Sequence, residues 1–316
     1  MSAGADDEGL LAIVTRLRTL LATGAQTVAL RVLDPDRGRG LYAGERIEVA
    51  GRVQVHRPYR VWVDLAERLG LRMLTPERLG DGMVELRFER IDPAARWQSD
   101  DTEASERYGR ASGFARISKL EDPDLLIDFA DALARTRLPA APRILELGVN
   151  RGDMFKLISA LDPERAARAS FVGVDHSETA LALARERFPG ENFSFVAADV
   201  NELPVLGGFD LVIAMGVLQS PGVDDRGLLR RLIQVELGWT GALILGVPNC
   251  RYLDGERIHG ARQKNFREPE LSLVIKDIAY FKRYLQQHRR QVYVTGRSYL
   301  LVTAVASGEA PSEGSR

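Results

Sequence analysis

The run Arg143-Ile-Leu-Glu-Leu-Gly-Val-Asn-Arg-Gly-Asp153 joins a short apolar segment to an acid and two spaced glycines, an order that suits a nucleotide-sized pocket. Ile144, Leu145 and Leu147 read as a buried strand. Gly148 and Gly152 then allow a tight turn and a close approach of backbone to ligand, where any side chain would intrude. A helix from Asp153 through Ala160 follows and aims its unsatisfied N–H groups at the same place. Strand, glycine loop and helix N-terminus together make a cradle of nucleotide size.

A Gly-x-x-x-Gly after a strand is shared by many turns, so the downstream spacing carries the argument. Phe171-Val-Gly-Val-Asp175 and Phe193-Ser-Phe-Val-Ala-Ala-Asp199 are two further apolar strands, each ending in an acid. Phe209 to Gly216 and Gly241 to Asn249 supply two more. Helical patterns separate them, over Thr179 to Phe188 and Gly227 to Leu237. Strands alternating with helices imply parallel strands with crossovers, hence an α/β, doubly wound sheet whose ligand crevice lies at the strand C-terminal ends. After a helix over Pro269 to Gln287, the runs Gln291–Thr295 and Tyr299–Ala304, joined through Gly296, read as a hairpin that adds an antiparallel strand.

On these residues the chain resembles the class I S-adenosylmethionine-dependent methyltransferases over Phe114 to Ala304. The resemblance implies a mostly parallel seven-stranded sheet ending in a reversed hairpin, S-adenosyl-L-methionine as cofactor, and methyl transfer as the activity. It implies that Glu146, Gly148, Asn150 and Gly152 meet the methionine part of the cofactor. Asp175, with His176 beside it, would hold the ribose hydroxyls, and Asp199 with Val200 the adenine. Met215 and Gly216 would face the sulfonium and the incoming acceptor. Asn150 stands where the family's loop usually has its middle glycine. Met215-Gly-Val-Leu-Gln-Ser220 lacks the Asn/Asp-Pro-Pro-aromatic motif of enzymes that methylate bases or glutamine, and Cys250 does not fit the paired motifs of cytosine-C5 enzymes.

Composition bounds the remaining classes. The single cysteine, Cys250, excludes a disulfide framework and fits a reducing compartment. The acidic N-terminus and the lack of an apolar run near the roughly 20 residues that a membrane helix needs lead to the expectation of a cytoplasmic protein without leader or membrane anchor. A net charge of -1 leaves no global nucleic-acid footprint. His56, His176, His259 and His288 are too dispersed for a metal site, so no metal is expected.

Residues 1–92 read as a small α+β domain of unassigned role. Leu10, Leu11, Val14, Leu17 and Leu21 recur at helical spacing; Pro58–Leu69 reads as a second helix; four segments, Thr27–Leu33, Arg46–Ala50, Arg72–Leu74 and Met83–Ile91, alternate as strands. Residues 93–113 form an acidic linker that runs into a candidate lid from Tyr108, residues 114–306 the α/β domain, and 307–316 a tail expected to be disordered.

Two segments are placed to meet the acceptor: the stretch Tyr108–Arg116, which includes Arg110, and the basic insert Asn249 to Pro269. The substrate candidates are Arg110, Gln219, Asn249, Arg251, Tyr252, Arg262, Lys264 and Asn265, which suggest an anionic acceptor, either a small molecule or RNA. His259, with Tyr252 behind it, is the candidate general base if one is required. Two alternatives stay open: a non-catalytic protein binding the cofactor or its demethylated product, and a nicotinamide-dependent oxidoreductase. The latter predicts a Gly-x-Gly-x-x-Gly spacing, which Asn150 breaks.

Overall fold

The computed structural model describes residues 3–4, 8–95, 108–260 and 271–308. They divide into two compact units, Met1–Ala95 with Leu253–Glu256, and Arg96–Tyr252 with Arg257–Arg316.

The first unit starts with β1 (Ala3–Gly4), α1 (Leu10–Ala22) and β2 (Thr27–Leu33). A hairpin of β3 (Arg46–Val49) and β4 (Arg52–Val55) precedes α2 (Tyr59–Leu69). β5 (Leu71–Met73), β6 (Glu77–Gly80) and β7 (Met83–Arg90) complete a five-stranded sheet ordered β1-β2-β7-β5, with β6 also on β7. Alternate residues of β2 and β7, Val28, Leu30, Val32 and Val84, Leu86, Phe88, bury against Ile13 and Leu17 of α1 and Trp62 of α2. Trp62 is thus a core residue, while Tyr59 is exposed. The strands at Arg52–Val55 and Glu77–Gly80 were not expected, being short and largely exposed without apolar alternation. Arg72 ion-pairs with Glu89, Asp254 and Glu256 inside this unit.

In the second unit α3 (Pro123–Arg135) begins at Asp122, whose carboxylate accepts from the amides of Asp124 and Leu125. β8 (Arg143–Leu147), α4 (Asp153–Leu161), α5 (Pro163–Ala166) and β9 (Ser170–Asp175) follow. Then come α6 (Glu178–Arg187), β10 (Phe193–Ala197), β11 (Phe209–Met215) and α7 (Asp225–Arg231). A π-helical turn, Leu232–Glu236, runs straight into β12 (Leu237–Pro248). The hairpin β13 (Cys250–Leu253) and β14 (Glu256–His259), helix α8 (Ser272–Gln287), and strands β15 (Arg290–Thr295) and β16 (Tyr299–Ala306) end the described chain.

The seven strands run β10-β9-β8-β11-β12-β16-β15. β10 to β12 are parallel; β16 is antiparallel to both β12 and β15, as the terminal hairpin implied. Chain order reverses between β8 and β11, so the loops after these strands diverge to opposite faces and open a crevice at their C-terminal ends. Leu145, Leu147 and Val212 face one core with α8; Ile144, Leu211 and Ile213 face the other with α3 and α4. The β13–β14 hairpin was not expected within the insert, and two further features differ from the sequence reading. The helix expected to reach Leu237 ends in the π turn, and β12 starts earlier than Gly241. The passage is tight there, since a Cβ on Gly241 would stand 2.6 Å from the Phe209 carbonyl oxygen.

Phe155, fully buried on α4, lies 5.0 Å between ring centroids from Phe171 and 6.3 Å from Phe188 and Phe195. It therefore locks the helix that follows the glycine loop onto β9 and β10. Phe155→Ala should lower the unfolding free energy by about 3–5 kcal/mol, read as a shift of the urea midpoint.

Candidate functional site

At the crevice lies a cavity of about 580 Å³, within the range of small-molecule sites. Gly148, Asn150, Asp175, His176, Asp199, Val200, Met215 and Gly216 all line it, each following or ending a parallel strand. Glu146 lines a narrow adjoining cleft shared with Gly148, Asn150 and Lys119. Gly152 instead caps α4 beneath Phe188; a Cβ there would sit 2.5 Å from the ring. No side chain caps α4, so its first amides are not claimed by a local carboxylate or hydroxyl.

Asp175, 5% exposed, organises the loop. Its Oδ2 accepts from the Asn150 amide at 2.8 Å and its Oδ1 from the Ser177 amide at 3.0 Å. Each oxygen retains lone-pair capacity for a further donor. Asp199 Oδ1 accepts from the Asn201 amide at 2.8 Å, and the Asn201 side chain bridges to Gly222 and Asp224 of the loop after β11. Gly216 donates its amide to Gly246, and Gly246 is bare where a Cβ would meet Met215 Sδ at 2.5 Å.

Glu146 is 3% exposed and its Oε2 has no hydrogen-bond partner among the described residues. Burial pushes its pKa well above the ordinary value, the Lys119 ammonium opposes this, and Asp153 and Asp175 add to it.

The remaining wall comes from residues that the sequence reading did not assign to the site: Asn201, Val217, Ser220, Pro221, Gly222, Val223, Lys119 and Tyr299, with Tyr108 and Phe114 of the candidate lid. Asn150, in a left-handed conformation at φ 49°, explains how the lid is held. Its Nδ2 donates to the Tyr108 carbonyl at 2.7 Å, and the Arg151 guanidinium donates to the carbonyls of Ala115 and Ile117. Tyr108 and Phe114 meet edge to face at 5.0 Å, and Lys119 Nζ lies 5.4 Å from the Phe114 ring. The residue that replaces the family's glycine is thus the fastener of the cavity roof.

The described acceptor candidates, Arg110, Gln219, Asn249, Arg251 and Tyr252, are not on the cavity wall. Arg110 is exposed and its amide donates to Thr179 Oγ1. Gln219 is 1% exposed, with neither side-chain polar atom partnered among the described residues, and is not on the cavity wall. Asn249 Nδ2 donates to the Arg297 carbonyl. Arg251 and Tyr252 lie on the β13–β14 hairpin away from the wall, and burial raises the pKa of the Tyr252 hydroxyl. His259 Nε2 sits 3.4 Å from Ser298 Oγ and 3.6 Å from Asp124, in a network where Arg257 pairs with Asp122 and Asp124. Arg257 and His259 of the insert are therefore engaged at the N-terminus of α3, and neither lines the cavity. Arg262, Lys264 and Asn265 lie outside the described residues. Among the described residues no cluster of His, Cys, Asp and Glu is arranged to hold a metal.

A family described as "Methyltransferase domain" matches residues 144–235, from β8 to the π turn, the stretch that holds the strand-end residues of this crevice but not its wall residues Tyr108, Phe114, Lys119 and Tyr299. Residues 144–235 are a methyltransferase domain of the S-adenosylmethionine-dependent class. Among curated relatives, trans-aconitate 2-methyltransferase of Acidovorax sp. (strain JS42) is 34% identical over 119 residues, covering 38% of this chain and 43% of that protein. The Methylobacterium nodulans protein of the same name is 41% identical over 90 residues, covering 28% and 33%. The chain thus spans less than half the length of these two relatives. A solved SAM-dependent methyltransferase from Aquifex aeolicus aligns at 16% identity over 59% of this chain and 94% of its own, with a TM-score of 0.42.

The site fits the cofactor of this domain by features of its own: a buried carboxylate oxygen without a partner at Glu146, and a bare loop where a Cβ on Gly148 would meet Val217 at 2.6 Å. Because the Glu146 pKa is raised, this group's contribution to the stability of the ligand-free protein is fully present below the ordinary carboxylate pKa and is lost as pH rises through the raised value. Binding of an ammonium-bearing cofactor favours the ionised form and strengthens over the same rise. Glu146→Gln should therefore raise the ligand-free melting temperature at mildly alkaline pH and remove the pH dependence of S-adenosylhomocysteine binding, as measured by scanning and titration calorimetry. Asn150→Gly, which removes the tie to Tyr108, should speed amide exchange over 108–116 and weaken cofactor binding by about twofold to tenfold, read by hydrogen–deuterium exchange and calorimetry.

Proposed function

We propose that this protein transfers the methyl group of S-adenosylmethionine to a small-molecule acceptor bearing a carboxylate. The observation that carries the reading is the distribution of charge around the crevice: Asp175 and Asp199 stand on the cavity wall at the ends of β9 and β10, where the only lysine or arginine among the described wall residues is Lys119, while the adjoining cleft adds Glu146 of β8 and Arg151, whose guanidinium is engaged by the Ala115 and Ile117 carbonyls. Among the described residues no carboxylate lies within ion-pair distance of the Lys119 ammonium, which rests 5.4 and 5.9 Å from the Phe114 and Tyr299 rings.

The cofactor supplies an activated methyl on a sulfonium, so the chain's own contribution is placement and exclusion of water. In this reading Glu146 holds the amino group of the methionine moiety, Asp175 the ribose hydroxyls, and Asp199 the adenine amino group. Met215 and Gly216 close the side facing the acceptor. Tyr108 and Phe114, tied down by Asn150 and Arg151, keep water out. Lys119 draws in the acceptor's negative group. An acceptor oxygen that is already ionised needs no general base, which agrees with a wall whose only imidazole among the described residues is His176, beside Asp175. Trans-aconitate, the acceptor in the relatives' printed name, is such a carboxylate.

The test is methyl transfer from labelled cofactor to cell extract separated into small molecules, RNA and protein, with trans-aconitate and other carboxylates as single acceptors. The proposal expects label in the small-molecule fraction as base-labile ester; label confined to RNA or protein would contradict it. Asp175→Ala should weaken cofactor binding by roughly tenfold to a few hundredfold. Lys119→Met should raise the acceptor KM about tenfold with little change in cofactor affinity. The opposite split in that variant would assign the ammonium to the cofactor.

A further inference from the structure

The second unit carries another cavity, of about 420 Å³, at the edge of the sheet opposite the crevice, where β12 and β15 begin and β16 ends. Trp239, Arg289, Arg290 and His288 line it. Arg290 is the unusual member. It is 7% exposed, and its guanidinium donates to the carbonyls of Gly241 and Gly238, yet no carboxylate lies within ion-pair distance among the described residues. Burial lowers its pKa and no acidic group opposes that shift. A buried cation held only by carbonyl dipoles keeps an unbalanced charge, which an anion at the cavity would neutralise.

Other groups around the cavity agree with an anion. Arg289 and His288 add positive or polar surface, and His288 Nδ1 is fixed against the Tyr284 carbonyl at 2.8 Å, which turns Nε2 away from that bond. The last carbonyls of α8, at Leu285 and Gln286, already accept from the amides of His288 and Arg289, so the helix's negative end is partly occupied. Trp239, near the start of β12, is 51% exposed and offers a flat face beside the cations.

We infer that this cavity is a second ligand site, distinct from the methyl-transfer crevice, for a small aromatic anion such as a nucleoside monophosphate. The phosphate pairs with Arg289 and Arg290, and the ring stacks on Trp239. The strand that carries Trp239 also runs, at its other end, into the loop beyond Pro248, so occupancy sits on an element shared with the sheet that shapes the crevice.

The test is titration calorimetry of the full-length protein, saturated with S-adenosylhomocysteine so that the crevice is filled, with adenosine monophosphate, adenosine and inorganic phosphate as probes. The nucleotide should bind saturably and more tightly than either fragment. Trp239→Ala and Arg289→Ala, both at exposed side chains, should each weaken it about tenfold. Absence of saturable nucleotide binding, or an affinity that either variant leaves unchanged, would overturn the inference. Should the crevice fail to take S-adenosylhomocysteine, the two variants still report on this cavity alone, because neither residue lines the crevice.

Discussion

The Asp175 carboxylate is the contact on which the crevice depends. One side chain ends β9, turns the chain into α6 through the Ser177 amide, and fixes the glycine loop through the Asn150 amide. Val149, next in the loop, donates to the Val174 carbonyl, so the β8 loop is stitched to β9 by two adjacent bonds. A carboxylate this buried persists because oriented amides satisfy it, and the same orientation leaves lone pairs facing the cavity. Glu146 is its counterpart with the opposite balance: burial with no partner for its Oε2 among the described residues, hence a raised pKa.

Asn150 connects that core to the roof. In a left-handed loop position glycine is the least strained choice, and asparagine is tolerated at some cost. Here the strain coincides with a hydrogen bond to Tyr108 that glycine cannot make. Together with Arg151 it converts an otherwise loose connector into a fixed wall carrying Tyr108, Phe114 and, further on, Lys119.

The strand-end acids and the glycine loop were readable in the sequence because each is local: an apolar run, then an acid, then a turn. The reversed hairpin was readable for the same reason. Lys119 and Tyr299 were not, since one precedes the first strand of the sheet and the other lies in its antiparallel strand, and only the fold brings them to one wall. The basic insert was legible only as local charge: the acids that Arg257 meets, Asp122 and Asp124, stand more than a hundred residues earlier in the chain, and only the fold brings them together. The π turn escaped because periodicity cannot register one extra residue per turn, and β12 starts early because glycines at 238 and 241 let it pass close to Phe209.

The central claim is that this crevice binds S-adenosylmethionine through carboxylates at the ends of its parallel strands. Titration calorimetry of the purified protein with S-adenosylmethionine, S-adenosylhomocysteine and NAD tests it most directly. The account predicts saturable binding of the first two and none of NAD. Binding of NAD alone, or of none of the three, would contradict it.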